Sequence, residues 1–384
     1  MCGLIGFSDT AGTRHSGEAV VRAMALQHDR GNGLGAGYAG HGIYPEFPDH
    51  YAFHLIYETR EALEATEAFI DHYYDLERAE ALPTRRTTGI TDAPLLWRYF
   101  AKPESKKLRD SGISDDDYVV NAVMHINTSI EGATVASSGK NMGVFKGVGF
   151  PEEIGHFYRI EDYEAHTWIA HNRFPTNSLA WWGGAHPFSL LNYSLVHNGE
   201  ISSYGINKRY IRQFGYICTM FTDTEVAAYL FDLLIRRHGL TAEQACKALA
   251  PPLWSQIDRM DDKARHDYTL LREIYASAML NGPFAIVLGT DEGMVAFNDR
   301  VKLRPLVAAV EGTQVAVASE ESSLRELLPA PDFLWAPKAG EPVIVRRGQA
   351  FQPPVVSTSK PAGSPVGGAV ASMDVLTSES EVSA

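Results

Sequence analysis

Four short stretches of this 384-residue chain carry side chains that could do chemistry together. Cys2 directly follows Met1, and a small second residue favours removal of that methionine. A chain starting at Cys2 would hold a thiol nucleophile and a free α-amine on one residue. The amine's reference pKa of about 7.7–8.0 suits it to accept a proton near neutral pH. The second stretch, His171-Asn172-Arg173-Phe174-Pro175-Thr176-Asn177-Ser178, offers an arginine able to grip a carboxylate through two N–H groups. An exposed turn arginine is the plainer alternative. In the third, His197-Asn198-Gly199-Glu200-Ile201, a side-chain amide and the next backbone N–H could point at a developing oxyanion. Asn-Gly is equally a strong hairpin-turn signal. The fourth, Thr222-Asp223-Thr224-Glu225-Val226, puts a carboxylate where a helix begins, either as a cap or as a partner for an ammonium group.

These groups need rigid elements to hold them. Residues 3 to 8, small and apolar, predict a buried strand immediately after Cys2. Ser16 caps a predicted helix to about His28, with Val20, Ala23 and Met24 on one face. Tyr51–Tyr57 reads as a strand, and Leu63, Thr66, Ile70 and Tyr73 mark a helix over 60–74. The polar stretch 80–118 reads as helix and loop, and Val119–Ile126 as a strand. Thr167–His171 and Tyr193–His197 are expected strands that deliver the second and third stretches. Val226, Leu230, Leu233 and Leu234 share a face of a helix over 224–238, with Gly239 as its stop. Short strands then recur at 283–289, 294–298, 306–310, 315–319 and 343–346, with one helix over 320–328. From Pro353 onward the sequence lacks aromatic residues and is rich in Ser, Pro, Gly, Val and Ala, which predicts a disordered tail.

Composition narrows the function. With 34 Lys and Arg against 47 Asp and Glu, the net charge is −13, which argues against a nucleic-acid or anionic-membrane binder. Three cysteines cannot build a disulfide framework or, alone, a four-thiolate iron–sulfur cluster. No apolar run of membrane-spanning length is present and the N-terminus lacks the features of a signal peptide, so a cytoplasmic location is expected. Gly35-Ala36-Gly37-Tyr38-Ala39-Gly40 matches a dinucleotide fingerprint only on paper, because no helix follows it. His50 and His54 fall on a predicted strand, where their spacing makes no compact metal site. Trp181-Trp182 could wall a substrate pocket or pack in the core, and Cys218 and Cys246 read as buried hydrophobes.

Taken in order, Met-Cys-Gly-Leu-Ile-Gly-Phe, His-Asn-Arg-Phe-Pro-Thr-Asn, His-Asn-Gly-Glu-Ile and Thr-Asp-Thr-Glu-Val resemble the class II glutamine amidotransferases. The Arg-Phe-x-Thr-Asn form looks closest to the amidotransferase domain of glutamate synthase. Gln27-His28-Asp29-Arg30-Gly31, Ala185-His186-Pro187-Phe188, Gly282-Pro283-Phe284-Ala285-Ile286, Leu303-Arg304-Pro305-Leu306 and Ala318-Ser319-Glu320 extend the likeness.

The resemblance implies an α+β fold, the four-layer αββα sandwich of two antiparallel sheets found in N-terminal-nucleophile hydrolases. It implies one amidotransferase domain over residues 2–350, with insertions between about 40 and 165, and a tail over 351–384. Carried over by position, Cys2 would form a γ-glutamyl thioester with L-glutamine. Asn198 and Gly199 would bind the oxyanion, Arg173 the substrate α-carboxylate and Asp223 its α-ammonium. Thr176 and Asn177 would join the substrate site. Arg30 and Gly31 match a motif near the nucleophile without a definite role, and the acidic residue usual after them is replaced at Asn32-Gly33. No metal or cofactor is expected on this chain. The expected partner is a separate glutamate-synthase-like flavoprotein subunit carrying FMN and an iron–sulfur cluster; a homo-oligomer stays open. Two other readings also stay open: a non-catalytic glutamine-sensing or scaffold subunit, and an N-terminal-nucleophile amide hydrolase of another substrate.

Overall fold

A computed structural model describes residues 2–175 and 180–354. The chain divides into a unit over Met1–Phe351 and a second over Gln352–Ala384. The expected disordered tail lies, from residue 355, outside the described residues.

The first strand, β1 (Gly3–Asp9), is buried along its whole length. Helix α1 (Glu18–Ala25) follows and buries Val20, Ala23 and Met24. The helix is shorter than the expected run to about His28, and its N-cap is Gly17 without a side-chain cap, so Ser16, whose Oγ accepts from the Glu18 N–H at 3.2 Å, sits one residue before the cap. The glycine-rich stretch then forms β2 (Ala36–His41), so it is a buried strand and not a phosphate loop. Next come β3 (Tyr51–Tyr57), α2 (Arg60–Tyr73), β4 (Tyr74–Ala81), β5 (Leu95–Pro103), α3 (Asp115–Ser129) and β6 (Ala133–Ser137). The four strands among these six elements pair in the order β4-β5-β3-β6, all antiparallel. That is a split βαβ unit carried between β2 and the rest of the core.

Two expectations fail in this unit. Val119–Ile126 is the middle of α3, not a strand. Its apolar run is rich in β-branched residues, but Ser114 caps the helix by accepting from the Asp117 N–H. Asp115, Asp116 and Asp117 in its first turn complement the helix dipole. Within 80–118, read as helix and loop, Leu95–Pro103 is a strand whose burial follows no clean alternation. His50 stays at the edge of β3, while His54 is buried and satisfied by Tyr44 Oη at 2.7 Å and the Val144 carbonyl at 3.0 Å. Among the described residues no His, Cys, Asp or Glu cluster could hold a metal ion.

Further along come β7 (Met142–Gly147), α4 (Pro151–Phe157), β8 (Thr167–Asn172), β9 (Phe188–Leu190), β10 (Tyr193–Gly199) and α5 (Asp223–Phe231), among others. A π-helical turn over Asp232–Arg237 continues α5, and Gly239 at φ +70° ends it as expected. After α6 (Ala242–Leu249) come β11 (Phe284–Thr290), β12 (Gly293–Asn298), β13 (Val307–Glu311), β14 (Gln314–Ala318), α7 (Glu321–Leu327), β15 (Phe333–Trp335) and β16 (Val343–Arg346).

A seven-stranded antiparallel sheet, β15-β13-β14-β1-β8-β2-β7, packs against a five-stranded one, β9-β10-β11-β12-β16. Along β11, Ala285 and Val287 face the first sheet, whereas Phe284, Ile286 and Leu288 turn to the other side with α5. Both faces of this strand are buried, which explains its unbroken apolar run. Helices α1, α4 and α7 cover the outer face of the first sheet, and α5 covers the second. The result is α+β with four layers, helix–sheet–sheet–helix. β1 lies in the middle of its sheet, so Cys2 enters the site from a strand held on both edges.

Candidate active site

Cys2, Arg173, Gly199 and Asp223 line one cavity of about 290 Å³, together with His186, His197 and Phe221. They come from different elements. Cys2 precedes β1, Arg173 follows β8, Gly199 ends β10 and Asp223 opens α5. β1 and β8 are neighbours in register, Gly3 opposite Asn172, so the thiol and the guanidinium leave the same end of the first sheet.

Cys2 is half-buried, and its Sγ accepts from the Phe174 N–H at 3.2 Å. Burial raises the thiol above its ordinary value. The Phe174 N–H, Arg173 and Arg304 oppose that rise without cancelling it. At neutral pH the group therefore rests as a thiol and needs a base to become a nucleophile. The Cys2 carbonyl accepts from Arg30 Nε at 3.0 Å and from Asn198 Nδ2 at 2.7 Å. Arg30 is also paired with Glu320. Arg30, without a definite role in the sequence, thus holds the backbone of Cys2.

Asn198 is 1% exposed, and its amide lies 3.4 Å from Ser319 Oγ as well as 2.7 Å from the Cys2 carbonyl. Of its two N–H groups, the one toward Ser319 is the weakly held one. Gly199 has φ +148°, and a Cβ there would lie 2.0 Å from the Pro283 carbonyl oxygen, so only glycine fits.

Arg173 is 5% exposed, and burial lowers its pKa against the opposing pull of Cys2 and Asp223. Asp223 accepts from the Ile201 N–H at 2.8 Å and lies 3.7 Å from His197 Nδ1. Burial would raise its carboxyl, but His197, the Ile201 N–H and Thr224 outweigh it and hold it at about 2. The cavity therefore presents a cation and an anion beside a thiol. Thr176 and Asn177 lie outside the described residues. Trp181 and Trp182 do not line this cavity; they border a different one.

Behind the charged pair lies a layer that motif reading did not assign. His171 and His186 stack at 4.0 Å. Thr224 Oγ1 bonds His186 Nε2 at 2.9 Å and His197 Nδ1 at 3.2 Å. Burial drives His171 down to about 3 and His186 well below its ordinary value, so both are neutral spacers. Glu225 accepts from the Thr219 and Met220 N–H groups, both at 2.9 Å, which ties the Phe221-bearing loop to α5. Burial raises Glu225 to about 7 and lowers the equally buried Lys146 to about 7. The sequence signal for this layer was the presence of His171, His197 and His186 in the matching segments; their mutual contact was not visible.

The family profile described as "Glutamine amidotransferases class-II" matches residues 94–329. The chain belongs to the class II glutamine amidotransferases, a family that uses glutamine. It is 49% identical over 348 residues to an uncharacterized protein of Archaeoglobus fulgidus, covering 90% of this chain and 92% of that one. It is 27% identical to a putative glutamine amidotransferase of Methanothermobacter thermautotrophicus, covering 85% and 94%. A solved structure of glutamine phosphoribosylpyrophosphate amidotransferase from B. subtilis aligns with 90% of this chain at 16% identity and a TM-score of 0.46. The chain spans 47% of that protein's length. Among the described residues, no helix is long and apolar enough to cross a membrane.

Proposed function

We propose that this chain hydrolyses L-glutamine to glutamate and ammonia, with Cys2 as the nucleophile once Met1 is removed. The observation that carries the reading is the convergence of Cys2, Arg173, Gly199 and Asp223 on one cavity. Arg173 takes the substrate α-carboxylate and Asp223 its α-ammonium. Both charges of a free amino acid are then paired on burial, whereas a peptide-bound glutamine would leave both partners unmatched. The clamp directs the carboxamide toward Sγ. The α-amine of Cys2 takes the thiol proton, sulfur bonds to the amide carbon, and the proton passes to the departing ammonia. The resulting thioester is cleaved by water, which the same amine deprotonates, to give glutamate and free thiol. The Gly199 N–H and the weakly held N–H of Asn198 serve the oxyanion of both tetrahedral states.

On the same reading the ammonia passes to a separate glutamate-synthase-like subunit bearing FMN and an iron–sulfur cluster. The support for this is the Arg173-Phe174 form of the second motif. Intact mass and glutamine hydrolysis of wild type and Cys2→Ala test the catalytic part. Loss of Met1 with hydrolysis abolished in Cys2→Ala is expected. Retained Met1 with no hydrolysis, partner present, would overturn it in favour of a sensing or scaffold subunit. A pull-down from the native host that yields no flavoprotein would overturn the partner assignment.

A further inference from the structure

A cavity of about 680 Å³, more than twice the volume of the Cys2 cavity, opens where the split βαβ unit meets the core. Ile56 and Glu58 at the end of β3, Thr134 from β6, Asp92 from the connection into β5, and Trp181 and Trp182 are among the residues that line it. Junctions between such units are where small-molecule sites tend to form, at volumes of roughly 300–1,000 Å³.

The two indoles are held in place. A Cβ at Gly183 would lie 2.2 Å from the Trp181 ring, and one at Gly147 would lie 2.5 Å from the Trp182 ring. Glycine at each position leaves room for the ring close to the backbone. Trp182 also packs edge-on against Phe157 at 5.7 Å between centroids. Neither ring needs to be ordered by a ligand. The charge of the cavity is one-sided: Glu58 and Asp92 border it, and among the described lining residues there is no Lys, Arg or His.

We propose that this cavity is a second ligand site, separate from the glutamine cavity, that takes a small organic cation of the alkylammonium class. Aromatic faces attract such a cation through their quadrupoles, and the two carboxylates supply the counter-charge. An anionic ligand would meet like charge without relief. A neutral polyol would leave both carboxylates without a counter-ion.

Choline is the probe and 3,3-dimethylbutan-1-ol its uncharged isostere; D-glucose represents the polyol class. Binding to the full chain is measured by calorimetry and by the indole N–H resonances, assigned with Trp181→Phe and Trp182→Phe. The expected result is saturable choline binding that moves the Trp181 and Trp182 signals and is roughly tenfold tighter than that of the isostere. The Glu58→Gln/Asp92→Asn double variant changes only exposed carboxylates and should weaken choline severalfold. Equal binding of choline and its isostere, no choline binding, glucose binding in its place, or choline binding unchanged in the double variant would each overturn the proposal. Glutamine hydrolysis is followed on the same samples. Its loss bears only on the Cys2 reading, because the binding measurement does not depend on turnover.

Discussion

Replacing Asp223 with Asn keeps the shape of the side chain and removes its charge, which separates its internal role from the substrate contact proposed for it. The first is internal. The folded protein holds this carboxyl at about 2 instead of 3.8, because His197, the Ile201 N–H and Thr224 outweigh the cost of burial. That gap is worth about 2 kcal/mol at neutral pH. The folded value is the lower one, so the contribution is complete above about pH 4 and disappears as pH falls through about 2. Asp223→Asn should therefore unfold with about 2 kcal/mol less free energy at pH 7, with the difference closing toward pH 2. The second is the proposed pairing with the substrate ammonium group. Losing one partner of a buried charge pair costs about 2–5 kcal/mol, and the 23% exposure of the Asp223 side chain points to the lower end. About 2 kcal/mol is about 30-fold in kcat/KM. The assay compares glutamine with 4-carbamoylbutanoate, which lacks the α-amine. Wild type should favour glutamine by about 30-fold, and Asp223→Asn should treat the two almost alike. A variant that still discriminates fully would show that Asp223 does not meet the ammonium group.

Gly199→Ala should lower the unfolding free energy by about 3 kcal/mol or more, since its Cβ would meet the Pro283 carbonyl in a backbone region closed to alanine. An unchanged urea midpoint would contradict that geometry. Arg30→Lys should lower kcat by about tenfold with KM for glutamine nearly constant, because the Cys2 carbonyl loses a planar donor while the clamp is untouched. A pure KM effect would place Arg30 on the substrate instead. Lys146, buried with its Nζ on the Gly183 carbonyl at 2.8 Å, sheds its proton at about 7 when folded and near 10.5 when unfolded. The folded state then binds fewer protons between these values, so wild type should gain stability relative to Lys146→Met as pH rises from 7 to 10. Unfolding curves at pH 6.5 and 9 with a constant difference would refute it.

The parts of the site legible in sequence were those whose chemistry is local. Cys2 before an apolar strand, Asn198-Gly199 at a strand end and Asp223 at a helix start each had a plainer alternative, and only their order along the chain singled them out. What joins them is not local. Arg30 reaches Cys2 across 28 positions and Asn198 reaches it across 196, through strand order that no window of residues contains. The histidine layer around Thr224 follows from the same juxtaposition. In the fold, the strands at 167–172 and 284–298 were readable because both faces are buried and the apolar run is continuous. The helix over Asp115–Ser129 was misread because its β-branched residues outweighed a cap of one serine and three aspartates. Trp181 and Trp182 were weighed for the glutamine pocket because they follow Arg173 in sequence, but they border the cavity at the split βαβ unit.

The central place of β1 also governs when this active site can exist during synthesis. The strand pairs with Thr167–Asn172 on one side and Gln314–Ala318 on the other. At about 5–20 residues per second, the second partner leaves the ribosome roughly 15–60 s after the first residues do. Until then the segment bearing Cys2 has at most one neighbour, and an aminopeptidase has time to reach the N-terminus. A nascent or truncated chain lacking Gln314–Ala318 leaves β1, and Cys2 before it, on an unfinished sheet edge.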